Sequence, residues 1–438
     1  MRRANGPVRR RRALTILEGR GVEAIVRSIA RVCGTGLALA VLVAGAGVRA
    51  QPRTDALGAP LRGFGAAELE RIEPLLSRGV VGLVELPHGE LLPAIHLAAT
   101  VEAPAETVRD VLARPDRYPT FMPAVSEVVL HDRHEHLVGF TWRWRTSVLA
   151  LGGEAMLALY EPPPSQRARG YRVVIERTEG DLGRGREVWR IVPRGRARAL
   201  LLLSTRMDLT DANQLTRQLA SASRSLSRSI NLAMGFAMLS RVRMEAERRA
   251  GATRPVIEPV LSRPDIDLRA LEPMLRRGDL LLIEVNGVEL RQVSVAIRLP
   301  HREERVRRIM LDPVAFTQAL IAGSSATIRE RTENEVRFDW AVDIPLVGSG
   351  GGMTLRENED RSIDLDAVSG AMDGGRFRFV TQPLGGATGV LGWARFDVAS
   401  ANFLLRALCD ADASLGPGLS AATEIMMARA LRLRLMSH

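Results

Sequence analysis

Val101-Glu102-Ala103-Pro104-Ala105-Glu106-Thr107-Val108, continued by Val111-Leu112 and then by Tyr118-Pro119-Thr120-Phe121-Met122-Pro123, is the stretch on which the fold turns. Leu91 to Val101 reads as a strand that ends at this point. Pro104 can open a helix, because the first helical turn does not need its missing donor. Val108, Val111 and Leu112 then share one face of a short helix through Ala113. Pro115 stops that helix and opens a second short one toward Met122.

Upstream, Val80 to Leu86 forms a partner strand, joined to the next through Pro87-His88-Gly89. Downstream come runs of strand character: Val125 to Leu130, His136 to Ser147, Glu154 to Tyr160, Tyr171 to Arg177, Glu187 to Val192 and Ala199 to Met207. One long helix follows, from Asp211 to about Arg249. Along it Leu215, Leu219, Ala222, Leu226, Ile230, Ala233 and Ala237 recur at spacings of three and four, an apolar stripe that must lie against the sheet.

The chain also repeats itself. At an offset of 199, Glu73-Pro74-Leu75-Leu76 aligns with Glu272-Pro273-Met274-Leu275, Arg78-Gly79 with Arg277-Gly278, Glu85 with Glu284, and Glu90-Leu91 with Glu289-Leu290. At 198 the match continues through Val108 and Val306, Pro115 and Pro313, Phe140 and Phe338, Trp142 and Trp340, and Gly152-Gly153 and Gly350-Gly351. A period of that length means tandem domains rather than a solenoid. The domains are expected over 67–250 and 266–438, with a linker at 251–265 broken by Gly251, Pro255, Pro259 and Pro264. The second copy is expected to place strands at Leu290 to Leu299, Thr327 to Arg331, Val336 to Ile344, Met353 to Glu357, Ile363 to Val368, Arg376 to Thr381 and Gly389 to Phe396. Its closing helix is expected to break at Gly416-Pro417-Gly418.

An opening strand, two short helices, a run of antiparallel strands and a long C-terminal helix make an α+β, helix-grip order. In the Ala-Pro-x-x-x-Val turn at 103–108 and the Tyr-Pro-x-Phe segment at 118–121, the sequence resembles the START-like, SRPBCC superfamily, with its polyketide cyclase/dehydrase, coenzyme-Q-binding and lipid-transport branches. The second copy is divergent: its turn reads Leu299-Pro300-His301-Arg302, and Phe316 stands at the Tyr118 position. The resemblance implies a cavity for a lipid, isoprenoid quinone, sterol or polyketide. It carries over no catalytic residues, and no cofactor is expected.

A long helix across a curved sheet leaves a hollow suited to an apolar guest. In the strand from His136 to Ser147, Val138, Phe140, Trp142 and Trp144 share one face, and Thr141, Arg143 and Arg145 the other. The repeat puts Val336, Phe338, Trp340 and Val342 on the corresponding face. Candidate cavity-wall residues are Phe121, Met122, Phe140, Trp142, Trp144, Met156, Tyr171, Leu226, Ile230, Met234, Phe338, Trp340, Met353 and Trp393. The alternative is that these side chains fill the core completely. Glu154 and Tyr171 are the polar groups placed inward for an enzyme reading, a cyclase or dehydratase on a polyketide-like substrate. A domain with a filled interior serving protein contacts is the third reading.

Composition narrows the function classes. The chain contains no Lys among its 61 basic residues, which excludes Schiff-base chemistry. Of the formal +11, residues 1–50 carry +8, from ten Arg against Glu18 and Glu23, which leaves +3 dispersed over the remainder and no footprint for nucleic acid. Arg9 to Arg12, Arg27 and Arg31 precede an apolar run, Val32 to Val48, that ends in Val48-Arg49-Ala50. That pattern reads as a secretory signal over 1–50 and an exported, periplasmic or secreted protein. The alternative is a membrane anchor, since a run of about 17 residues is at the lower limit for a span; transient membrane contact is also compatible. Cys409, on an apolar helical segment, reads as packing. His131, His134 and His136 lie on a hairpin and cannot all converge on a metal. Gly348-Ser349-Gly350-Gly351-Gly352, without Lys or a following helix, reads as a flexible connection rather than a phosphate loop.

Overall fold

The computed structural model describes residue 57 and residues 60–436, leaving out 87–91, 215, 218–223, 255, 257, 259, 321–323 and 343–347. The leader expected over 1–50, and Leu215, Leu219 and Ala222 of the long helix, lie outside the described residues. Among those described, no helix is long and apolar enough to cross a membrane.

The first half runs α1 (Ala66–Leu76), β1 (Val80–Glu85), β2 (Ile95–Val101), α2 (Ala105–Leu112), a 3-10 turn (Pro115–Thr120), β3 (Val125–His134), β4 (Leu137–Arg145), β5 (Ala150–Tyr160), β6 (Tyr171–Gly180), β7 (Arg184–Pro193), β8 (Ala199–Asp208) and α3 (Arg224–Ala250). The second half repeats the order: α4 (Glu272–Arg277), β9 (Gly278–Asn286), β10 (Glu289–Leu299), α5 (Glu303–Met310), α6 (Pro313–Gln318), β11 (Ser324–Arg331), β12 (Glu335–Val342), β13 (Ser349–Glu357), β14 (Ile363–Gly370), β15 (Arg376–Leu384) and β16 (Ala387–Arg395). A 3-10 turn (Val398–Ser400), α7 (Phe403–Ala411) and α8 (Leu415–Met436) complete it. Each half is a helix-grip unit.

All sixteen strands join one antiparallel sheet, in the order β11-β12-β13-β14-β15-β16-β10-β9-β1-β2-β8-β7-β6-β5-β4-β3. The order is the same read from either edge, and the halves meet where β1 pairs with β9, Val81 opposite Leu282 and Leu83 opposite Leu280. The repeat-matched Arg78-Gly79, Glu85, Arg277-Gly278 and Glu284 sit at this seam. Gly79 and Gly278 are required there: a Cβ on Gly79 would stand 2.3 Å from the Ile283 carbonyl oxygen, and one on Gly278 would stand 2.5 Å from that of Val84. Arg78 donates to Glu284 at 3.1 Å, and reciprocally Arg277 donates to Glu85 at 3.0 Å and to Glu68 at 2.8 Å.

The sheet is covered on both faces near the seam. On the outer face Ile72, Leu75 and Leu76 of α1 and Met274 and Leu275 of α4 pack onto Val81, Leu83, Leu280 and Leu282. On the inner face α3 and α8 lie over the strands and against each other. Gly418 makes their close crossing possible, since its Cβ would meet the Ala233 carbonyl oxygen at 2.9 Å. Sheet strands alternate sides, so Ile95, Leu97 and Ala99 feed the inner core while Ala98 feeds the outer one.

Two sequence expectations are corrected. The helical break in the second half falls at Asp412–Ser414, where Asp412 Oδ1 accepts from the Ser414 backbone at 2.9 Å, and Gly416-Pro417-Gly418 lie inside α8. A proline in a first helical turn removes no hydrogen bond. The glycine run is no loose connection either: Ser349 to Gly352 are part of β13. Gly351 pairs with Gly370, and a Cβ on it would lie 2.2 Å from the Ser369 carbonyl oxygen, beside a bulge in the β13–β14 register. Gly153, paired with Gly180, repeats this in the first half, where a Cβ would lie 2.6 Å from the Glu179 carbonyl oxygen. The repeated Gly-Gly is therefore a packing requirement.

Candidate functional site

The inner face encloses hollows in both halves. In the second half a cavity of about 290 Å³ lies between β12, β13, α7 and α8. An inner chamber of about 50 Å³ lies beyond it, and the two share Phe316, Phe338, Leu365 and Met427 as a common wall. The first half holds a cavity of about 100 Å³ under α3. Each borrows from the other half: Ser229 and Ile230 of α3 line the second cavity, and Asp412 and Leu415 line the first.

The aromatic strands form the walls because their alternation persists along β4 and β12. Phe140, Trp142 and Trp144, with Met122 and Met234, line the first cavity. Phe338, Trp340 and Met353, with Ile230, line the second. Four candidates lie elsewhere. Phe121 packs edge-on against Tyr118 with ring centres 5.8 Å apart. Tyr171 donates its hydroxyl to Glu106 Oε1 at 3.1 Å under the Arg109 guanidinium, 5.1 Å from its ring centre. Met156 is 43% exposed, on the outward face of β5. Glu154 shares that face and is exposed as well, so it is no cavity acid. Trp393 belongs to the outer core under α1 and α4, because β16 turns Val390 and Ala394 inward instead. The Leu226 side chain lies outside the described residues.

Polar groups inside the hollows are few, and sequence reading missed them. In the first cavity Arg177 and Glu187 are both buried, 3.5 Å apart. Gly185 opposite Arg177 leaves room for the guanidinium, whose Nη2 would stand 2.5 Å from a Cβ there. Burial pushes the Glu187 carboxyl up, against the opposing pull of Arg177. At the mouth Arg241 of α3 donates to Asp412 at 2.5 Å. The Tyr118 hydroxyl is committed to the Leu112 carbonyl at 2.8 Å. The signal for Glu187 was present, since alternation along β7 sets it beside Trp189 and Ile191, which face inward.

In the second half Glu424 of α8 is fully buried and lines the inner chamber. Neither of its carboxyl oxygens has a hydrogen-bond partner. Burial alone pushes its carboxyl up to about 8, so at neutral pH it carries a proton. An unsatisfied buried polar group costs roughly 1–3 kcal/mol, and such groups in native structures tend to mark function. Its signal was its place among Ala421, Ile425, Ala428 and Leu431, the apolar stripe of α8. Other lining groups are turned back to backbone: Thr423 donates to the Leu419 carbonyl at 3.0 Å, and Asn402 Oδ1 accepts from Leu405 at 2.9 Å.

Cys409 is half-buried beside Asp397, Asp410 and Asp412, which with that desolvation push its thiol up to about 12 and keep it protonated. His131, His134 and His136 are exposed on the β3–β4 hairpin, and no described cluster of three His, Cys, Asp or Glu could hold a metal.

Residues 101–238 match the family described as polyketide cyclase / dehydrase and lipid transport. No curated protein matches the chain. Among solved structures, the Zhui aromatase/cyclase from Streptomyces sp. R1128 is 20% identical, covers 36% of this chain and 98% of its own, and has a TM-score of 0.31. A STAR-related lipid transfer protein from Xanthomonas axonopodis is 15% identical, covering 39% and 94%, with a TM-score of 0.31. The di-domain ARO/CYC StfQ from the steffimycin biosynthetic pathway is 12% identical, covering 78% of this chain and 98% of its own, with a TM-score of 0.27. The family match falls on the first half, and the second half repeats the first half's order of strands and helices.

Proposed function

We propose that the protein binds and carries a hydrophobic small molecule, of the lipid, isoprenoid, sterol or polyketide kind, in the cavity of its second half. The observation that carries this is a hollow of about 290 Å³ walled by Phe338, Trp340, Met353, Leu405 and Met427, close to the lower end of the usual range for small-molecule pockets. Met353, Met426 and Met427 give that wall adaptable surfaces suited to guests of varied shape. The basic, then apolar, first fifty residues support an exported location for the carrier.

The test is native mass spectrometry of protein purified from its own host, paired with displacement of a fluorescent fatty-acid probe. A bound lipid-like mass and saturable displacement are expected. Leu408→Trp, which fills the cavity from α7, should weaken probe binding about tenfold, or ~1.4 kcal/mol. Clean spectra together with a probe that never binds would sink the reading.

A second reading, acid/base catalysis, is favoured by the Arg177–Glu187 pair in the first cavity. It requires turnover of a polyketide-type substrate that Glu187→Gln abolishes while ligand binding persists. A substrate recovered unchanged from the wild-type protein counts against it.

A further inference from the structure

We propose that the Glu424 carboxyl is the polar anchor of the second cavity, and that it selects a mostly hydrocarbon ligand carrying one uncharged oxygen, as in a ketone, alcohol or ester. This inference rests on the binding reading above and names the ligand chemistry of the same cavity.

Glu424 is fully buried and both its oxygens lack partners, although it opens onto a chamber lined by Val295, Ile297, Met310, Pro313 and Leu431. Among the described residues it is the only ionisable side chain in that lining. A carboxyl held there in its protonated form offers one O–H donor and one carbonyl acceptor, and a buried group of this kind calls for a partner. A ketone or ester oxygen takes the O–H, and an alcohol can engage both oxygens. A phosphate or ionised carboxylate head is disfavoured, because no cation among the described residues lines the chamber to offset its desolvation.

The chamber, at about 50 Å³, admits a compact head, while the adjoining 290 Å³ takes the hydrocarbon body. The indole N–H of Trp340, which lines the wider space, is also buried without an acceptor. It would serve a second oxygen along the same ligand. Of the three arginines of α8, Arg432 is directed away, to Asp279 at 2.6 Å, and neither Arg429 nor Arg434 is among the described lining residues of either space. Arg241 is likewise engaged by Asp412.

The test uses the full chain at pH 6.5 with Nile red as the probe and a competitor ladder of hexadecane, 2-hexadecanone, 1-hexadecanol and hexadecyl phosphate. In the wild type the ketone and alcohol should displace the probe at about tenfold lower concentration than the alkane, ~1.4 kcal/mol, with the phosphate weakest. Glu424→Leu should keep probe binding and lose this preference, whereas Glu424→Gln, which retains a donor and an acceptor, should preserve it. Because the readout is the change between variants, any probe held by the first cavity cancels. In the infrared, the carboxylic-acid C=O band lost in Glu424→Gln should shift in the wild type when 2-hexadecanone is added. An unchanged ketone-to-alkane ratio in a folded Glu424→Leu protein, or a band indifferent to ligand, overturns the anchor while leaving hydrophobic binding intact. A wild type that takes up no Nile red overturns the binding reading and this inference with it.

Discussion

At the scale of single residues, Glu424 shows how a site can work against stability. Its carboxyl is unsatisfied in the apolar core, so Glu424→Leu should stabilise the ligand-free protein by about 1–3 kcal/mol, a gain in chemical denaturation made at the expense of ligand selectivity. Its pH dependence has a defined sign. The folded carboxyl sits near 8 and the unfolded one near the ordinary glutamate value, so the folded state binds the proton more tightly. That contribution is complete below the unfolded value and is lost as pH rises through about 8, with a slope of at most about 1.4 kcal/mol per pH unit. Denaturation of the wild type and Glu424→Gln across pH 5 to 9 should show the gap between them changing in that direction. A gap independent of pH would contradict a protonated Glu424. Glu187 and Glu424 could both have been found by asking which acid interrupts an apolar periodicity. The depth of burial that makes Glu424 neutral could not, because it depends on strands and helices far away in sequence.

At the scale of elements, α7 and α8 divide the work around the second cavity. α8 is anchored by Ala421, Ile425, Leu431 and Leu435, all buried, and by its crossing with α3 at Gly418. α7 has no buried residue, Phe403 at its start is 63% exposed, and Leu404, Leu405 and Leu408 still close one side of the hollow. With so little burial, α7 falls at the low end of local stability. Its amides should exchange with solvent at least tenfold faster than those of central α8, and ligand should slow them; equal protection of the two helices would rule out α7 as the moving wall. Gly418→Val forces a side chain against the Ala233 backbone and should cost about 1–3 kcal/mol in denaturant titrations. Most elements were legible from periodicity and proline punctuation. The α7–α8 boundary was not, since Pro417 looks like a helix breaker but lies in a first turn, where its missing donor costs nothing.

At the scale of the whole molecule, the two halves are one sheet sealed by reciprocal Arg–Glu pairs. Burial acts to raise the Glu85 carboxyl, but hydrogen bonds and charge from His96 and Arg277 outweigh it and bring it down to about 2. Burial meanwhile pulls the His96 imidazole below its ordinary value, between Glu85 at 3.0 Å and Ser204 at 2.9 Å. A depressed carboxyl stabilises the fold above its unfolded value and loses that contribution as pH falls toward about 2. Arg277→Ala should therefore lower stability by about 1.5–3 kcal/mol at pH 7, and by progressively less as the solution is acidified below pH 4. Calorimetry should show one cooperative transition for the wild type; two resolved transitions would mean that the β1–β9 seam does not couple the halves.

The sequence by itself determined the duplication, the α+β helix-grip order and the aromatic strands Phe140-x-Trp142 and Phe338-x-Trp340, because hydrophobic period and turn chemistry are local properties. It also held the seam, in the repeated Arg-Gly and Glu, without saying what they were for. Only the tertiary structure decided that both halves share one continuous sheet and that each cavity takes residues from the other half. It also decided that Met156 and Trp393 face away from the hollow and that Glu424 ends in an apolar chamber. Which face of a strand is inward, and whether the space beside it is filled, depends on the volume and placement of side chains from many distant elements, and a one-dimensional pattern does not contain that sum.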